Sequence, residues 1–238
     1  MNTVLFDLDG TLLPMDMDLF TRIYFKKLGD FFADLIDPKE MINSVLIATI
    51  EMISNIEYRS NEEVFTERFG RLIERKGKLE TFQQRFEKFY DTAYAETKSS
   101  VSVMPCMRRS VEILRDKGYG LVIATNPLFP LKAIEHRIRW AGFEPSDFSY
   151  ISYFEKNHFC KPQIEFYNEV LRDIGKKPEE CLMVGNDVQE DVIAGRLGIG
   201  VYLITNQLLH RTGEDIKADH IGTYEDFHSF VQGLPKAE

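Results

Sequence analysis

Cysteine is scarce in this chain: three residues in 238, Cys106, Cys160 and Cys181, odd in number, widely spaced and without a CxxC pair. That excludes a disulfide framework and a cysteine-based zinc site, and leaves three core or near-core thiols. Long apolar runs are missing too, since none approaches the roughly 20 residues needed to cross a bilayer. No basic stretch precedes the first apolar segment, so the expectation is a soluble cytoplasmic protein with no membrane partner. Positive charge is in deficit, 29 Lys and Arg against 38 Asp and Glu for a net charge of −9, which argues against a nucleic-acid partner. A dinucleotide fingerprint is also lacking: "GYG" at 118–120 and "GIG" at 198–200 have no third glycine and do not follow the first strand. Neither repeats nor low-complexity tracts occur.

What is present divides into two textures. From about Asp16 to Thr97 the apolar residues recur every three or four positions: Phe20, Tyr24, Leu28, Phe31 and Leu35, then Met41, Val45, Thr49, Ile50 and Ile53. Ser60 with Glu63 makes a capping box ahead of Val64, Phe65, Phe69 and Leu72, and Phe82, Phe86, Phe89, Tyr90 and Ala93 stripe a further helix. Most of these aromatic residues read as helical core. From Val103 onward strands alternate with helices. Pro105 opens and Gly118 closes a helix before the strand "YGLVIAT"; "LKAIEHRIRWAG" is helical and "SYISYF" a strand. "QIEFYNEVLRDIG", "CLMVGN", "EDVIAGRLG", "GVYLIT" and "TYEDFHSFVQG" continue the alternation. This order predicts an α/β fold, a parallel sheet covered by helices on both faces, with a ligand site at the carboxyl ends of the strands. The chain is long enough to bury roughly 70% of its unfolded surface.

"VLFDLDGTL" at 4–12 belongs to that sheet as its opening strand. Asp7 and Asp9 fall on one side of an extended backbone, and two like charges that close require a cation between them. Other polar residues gather at the same predicted edge: Thr125 and Asn126 after "LVIA", Gly185, Asn186 and Asp187 after "CLMV", Asp191 a helical step later, and Lys161 before Pro162. Singly, Thr125 reads as a turn hydroxyl, Asp191 as an acid at a helix start and Lys161 as a solvated loop charge. Converging on one sheet edge, they read as a site.

"DLDGT" at 7–11, "VIATN" at 122–126, "KP" at 161–162 and "VGNDVQED" at 184–191 resemble, in order and spacing, the four motifs of the haloacid dehalogenase superfamily. The resemblance implies a Rossmann-like three-layer core over residues 1–15 and 98–238, with residues 16–97 as an inserted all-helical cap. It further implies magnesium-dependent hydrolysis of a small phosphorylated metabolite. Asp7 would be the nucleophile, Asp9 the general acid and base, and Lys161 the partner that neutralises Asp7. Thr125, Asn126 and Lys161 would bind the phosphoryl group, and the Asp7 side chain, the Asp9 carbonyl and Asp187 would hold Mg2+. Where many relatives place an aspartate directly after the glycine of the fourth motif, this chain has Asn186 and then Asp187. Either oxygen could reach the metal; the charged one is favoured, with Asp191 in support.

Other chemistries are weighed on the same residues. Asp9 argues against a dehalogenase, which in general lacks an acid at that place. Phosphonate hydrolysis would need a cap lysine, for which Lys26, Lys27 and Lys39 are available. A phosphomutase, and a phosphorylation-switched binding module of the receiver type, are the remaining alternatives. Met15, Asp16, Phe20 and Tyr24 are near enough to the junction to contact a substrate. Neither the substrate nor the oligomeric state is legible.

Overall fold

A computed structural model describes residues 1–237. The sheet consists of β1 (Thr3–Phe6), β2 (Gly120–Ile123), β3 (Tyr150–Ile151), β4 (Cys181–Gly185), β5 (Gly200–Ile204) and β6 (His220–Gly222), in the order β3-β2-β1-β4-β5-β6 with every neighbouring pair parallel. β1 is central, and Phe6 lies opposite Ile123 on one side and Val184 on the other. The residues that follow these three strands therefore emerge side by side.

Strand alternation sorts the core into two layers. Val4, Phe6, Leu121, Ile123, Leu182 and Val184 pack on one face with α5 (Pro105–Asp116), α6 (Leu131–Trp140) and α8 (Tyr224–Gly233). Leu5, Val122, Met183 and Val201 pack on the other against α7 (Ile164–Ile174) and the 3-10 turn Val192–Leu197. The three cysteines are buried and free.

Between β1 and β2 the chain forms α1 (Met17–Phe32), α2 (Pro38–Ser54), α3 (Asn61–Ile73), α4 (Leu79–Asp91) and a 3-10 segment, Ala93–Ser100. The capping box at α3 is made: the Ser60 hydroxyl accepts from the Glu63 N–H at 3.2 Å, and the Glu63 carboxylate accepts from the Ser60 N–H at 2.9 Å. Phe32, Phe69, Phe82 and Phe89 are buried between these helices, whereas Ile50, expected in the stripe of α2, faces solvent. The two connections to the sheet run together: the Asp16 N–H bonds to the Ser100 carbonyl at 2.9 Å and the Ser102 N–H to the Pro14 carbonyl at 3.0 Å. The return thus lies at 100–102, just past the expected boundary at Thr97.

Three elements refine or differ from the sequence expectation. "SYISYF" contributes only two strand residues, because the Ser152 hydroxyl bonds to the Thr125 carbonyl and the Tyr153 N–H to the Asn157 side chain, which turns the chain away. "EDVIAGRLG", expected as a short helix, is one of the 3-10 type, with the Ala194 N–H bonded to the Asp191 carbonyl. β6 was not expected at all. It is three residues at the sheet edge, and its one aliphatic side chain, Ile221, is exposed. Among the described residues no helix is long and apolar enough to cross a membrane.

Candidate active site

A cleft of about 490 Å³ sits over the carboxyl ends of β1, β2 and β4, and Asp7, Asp9, Thr125, Asn126, Asn186, Asp187 and Asp191 all line it. Lys161 lies beneath them, its side chain wholly buried. Its ammonium is 3.0 Å from Asp7 Oδ1 and 2.7 Å from Asp191 Oδ1. The other Asp191 oxygen accepts the Asp187 N–H at 2.9 Å. A β-carbon on Gly185 would overlap this Asp191 carboxylate, so the glycine is what lets the lysine bridge form. Gly10, with φ +83°, is likewise obligatory: a β-carbon there would overlap the Asn186 amide.

Burial pushes the Asp7 carboxyl up to about 8, against the pull of Lys161 and with the help of Asp191 and Asp9. Burial by itself would lower the Lys161 ammonium, but Asp191 and Asp7 beside it carry its proton affinity well above the ordinary lysine range. The geometry thus holds one permanent cation against the Asp7 oxygen.

Asp9 has a partner that the sequence reading missed. Arg137, 2% exposed on α6, forms an ion pair with Asp9 Oδ2, and its guanidinium stacks 4.5 Å from the centre of the Phe129 ring. Asp9 Oδ1 and Arg137 Nη2 are buried without a hydrogen-bond partner among the described residues. Burial raises the Asp9 carboxyl and Arg137 pulls it back down. A signal was available: Arg137 interrupts the apolar stripe of Ala133, Ile134 and Ile138, where a charge must find a buried partner.

The remaining expected residues take specific places. Asn126 ties the lysine loop down, accepting from the Lys161 N–H at 3.2 Å and donating to Glu190 at 3.0 Å. Thr125 is 3% exposed, and its carbonyl is held by Ser152. Asp187 caps the next turn through the Gln189 and Glu190 N–H groups and is gripped by Arg211 at 3.1 and 2.5 Å, so both of its oxygens are engaged. Asn186 faces the opening motif, with its carbonyl accepting from the Thr11 hydroxyl at 3.1 Å and its amide donating to the Gln207 carbonyl. Glu190, Arg211 and Gln207 also line the cleft and were not anticipated. Met15, Asp16 and Phe20 line it as expected, whereas Tyr24 lines a neighbouring cavity. Lys26, Lys27 and Lys39 are not among its lining residues; Lys26 pairs with Asp30 and Lys27 with Glu96.

The donor set suits a hard divalent cation. Seven carboxylates and two arginines line the cleft, with Lys161 below, so an incoming phosphate would meet a surplus of negative charge. Among the described residues no three His, Cys, Asp or Glu side chains form a metal cage. A magnesium site built from one carboxylate, a main-chain carbonyl, an amide oxygen, water and the substrate's own oxygens needs no such cage.

Comparison with known proteins agrees with this geometry. Residues 1–198 match the haloacid dehalogenase-like hydrolase family. The chain is 32% identical over 109 residues to a glyceraldehyde 3-phosphate phosphatase of Methanothermobacter thermautotrophicus, a stretch covering 45% of each chain. It is 24% identical to the pyrophosphatase PpaX of Bacillus cereus, over 82% of this chain and 78% of that one. A phosphatase structure from Thermococcus onnurineus superposes with a TM-score of 0.60 at 20% identity, covering 99% of this chain and 100% of the other. With the family matched over most of its length, the chain belongs to the haloacid dehalogenase-like hydrolases, and it is an enzyme.

Proposed function

We propose that the chain hydrolyses small phosphomonoesters through an aspartyl-phosphate, an acyl phosphate formed on Asp7, with helices α1–α4 serving as a cap over the cleft. One observation carries the reading: a buried lysine is clamped between Asp7 and Asp191 at the strand ends, with a second aspartate, Asp9, beside them. Mg2+, when bound, would offset the repulsion between Asp7 and the phosphate. The Asp7 carboxylate, the Asp9 carbonyl and an oxygen from position 186 or 187 would hold it. Both candidates hold partners within the chain, Asp187 with Arg211 and the Asn186 side-chain oxygen with the Thr11 hydroxyl, so a metal at either would displace or share one of them.

The remaining chemistry belongs to the side chains. An Asp7 oxygen attacks phosphorus, and the bond from phosphorus to the alcohol oxygen breaks. Lys161 pulls Asp7 toward its ionised form against the effect of burial and steadies the charge on the transferring group. Asp9 gives a proton to the departing alkoxide, then takes one from the water that attacks the phosphorylated Asp7 and releases phosphate. Its Oδ1, free of Arg137, is the oxygen that carries this proton. The Thr125 hydroxyl donates to a phosphoryl oxygen. Chemistry through a Schiff base loses its support, since neither Lys26, Lys27 nor Lys39 lines the cleft. Phosphate release from phosphomonoesters in the presence of magnesium tests the reading. Activity is expected to vanish with chelator and return with Mg2+, and full turnover under chelation would overturn it.

A further inference from the structure

Resting on the phosphomonoesterase reading, we propose that the organic part of the substrate is apolar and is seated in a cavity inside the helical layer. This second cavity, of about 410 Å³, lies between α1, α2, α3 and α4 and the loop after β2. It shares four wall residues, Met17, Phe20, Leu128 and Phe129, with the catalytic cleft, so the two spaces are neighbours across one aromatic partition. An ester chain on a phosphate over Asp7 would reach the second cavity by passing between these four side chains.

The walls specify the occupant. Tyr24, Phe65, Phe69, Phe86 and Tyr90 supply aromatic faces, and the Tyr24 and Tyr90 hydroxyls hydrogen-bond to each other at 3.1 Å. The charged lining is of one sign: Glu62, Glu87 and Glu155 are present, and no lysine, arginine or histidine among the described residues lines the cavity. Burial raises the Glu155 carboxyl above the ordinary range. A second phosphate, or the carboxylate of a small acid, would meet like charge and no cation in the lining, only neutral donors such as Thr21, Thr49, Thr66 and Gln83. Pyrophosphate and phosphorylated acids are thereby disfavoured, and an alkyl or aryl chain gains from leaving water.

The test is a series of ethyl, butyl, hexyl and octyl phosphates with the full chain and magnesium. Leaving-group acidity barely changes along the series, so it isolates burial from chemistry. kcat/KM is expected to climb about three- to fourfold per methylene until the cavity fills, with the gain in KM. Pyrophosphate should fall at least a hundredfold below hexyl phosphate. Leu46→Trp and Thr66→Phe, which fill the cavity from α2 and α3, should each lower the hexyl-to-ethyl ratio of kcat/KM by tenfold or more. A flat series, a preference for pyrophosphate, or an unchanged ratio in both variants would overturn the substrate class while leaving the hydrolase reading intact. If no ester releases phosphate, the hydrolase reading falls instead, and the cavity is read by fluorescence titration with 1-naphthol. Saturable binding weakened in both variants supports the cavity as an apolar site; absence of binding overturns it.

Discussion

Replacing Lys161 by methionine keeps the length of the side chain and removes its charge from between two buried carboxylates. The ammonium stands 3.0 Å from Asp7 and 2.7 Å from Asp191, with no exposed side-chain surface of its own. Breaking a buried ionic cluster by removing one partner costs about 3–5 kcal/mol, because the charge left behind is uncompensated. The cost should depend on pH in a defined direction. In the metal-free wild type, Asp7 titrates at about 8 instead of its ordinary 3.8, so folded chains carry an extra proton between those values. Stability therefore falls as pH rises through that window and levels off above it. Without Lys161 the Asp7 carboxyl rises further, and the fall continues beyond pH 8. The gap between variant and wild type should then widen by up to about 1.4 kcal/mol per pH unit. Urea denaturation of both proteins in metal-free buffer from pH 7 to 9.5 measures it. Activity should drop at least about a hundredfold, the scale for losing a group that stabilises developing charge. A pH-independent gap, or activity within tenfold of wild type, would refute the placement of this lysine.

Two other substitutions probe the supports of the site. Arg137→Gln removes the cation that pulls the Asp9 carboxyl down against burial, so the acidic limb of the kcat profile should move to higher pH, and an unmoved limb would show that Arg137 only packs. Gly185→Ala forces a methyl group into the Asp191 carboxylate and should cost about 1–3 kcal/mol together with most of the activity. Gly233→Ala, where the added carbon meets nothing within 4 Å, is the control and should cost neither.

Much of the sheet was legible because its central strands, buried on both faces, read as unbroken apolar runs: β1, β2, β4 and β5 coincide with such runs. β6 was not, because an edge strand of three residues with its aliphatic side chain in solvent leaves no pattern to find. The candidate site divides in the same way. Asp7, Asp9, Thr125, Asn126, Asp187 and Asp191 follow strands or their adjoining turns, so knowing where a strand ends places them at the cleft. Arg137, Glu190 and Arg211 reach it from a helix and loops, where only the packing of distant segments decides which way a side chain points. The Asn186 and Asp187 pair shows the limit most sharply: adjacent in sequence, one turns toward Thr11 and the other toward Arg211, which spacing alone does not distinguish.

The central claim is that Asp7 takes the phosphoryl group and Asp9 moves the proton. Single-turnover kinetics on an activated aryl phosphate, followed by mass spectrometry of the trapped protein, test both parts at once. Asp9→Asn leaves the nucleophile intact and the leaving group needs no acid, so phosphorylation proceeds while the attack of water stalls. The account predicts a burst of about one equivalent of aryl alcohol per site, with phosphate located on Asp7, and no burst from Asp7→Asn. A burst from the Asp7→Asn protein, or a phosphate located on Asp9, would contradict it.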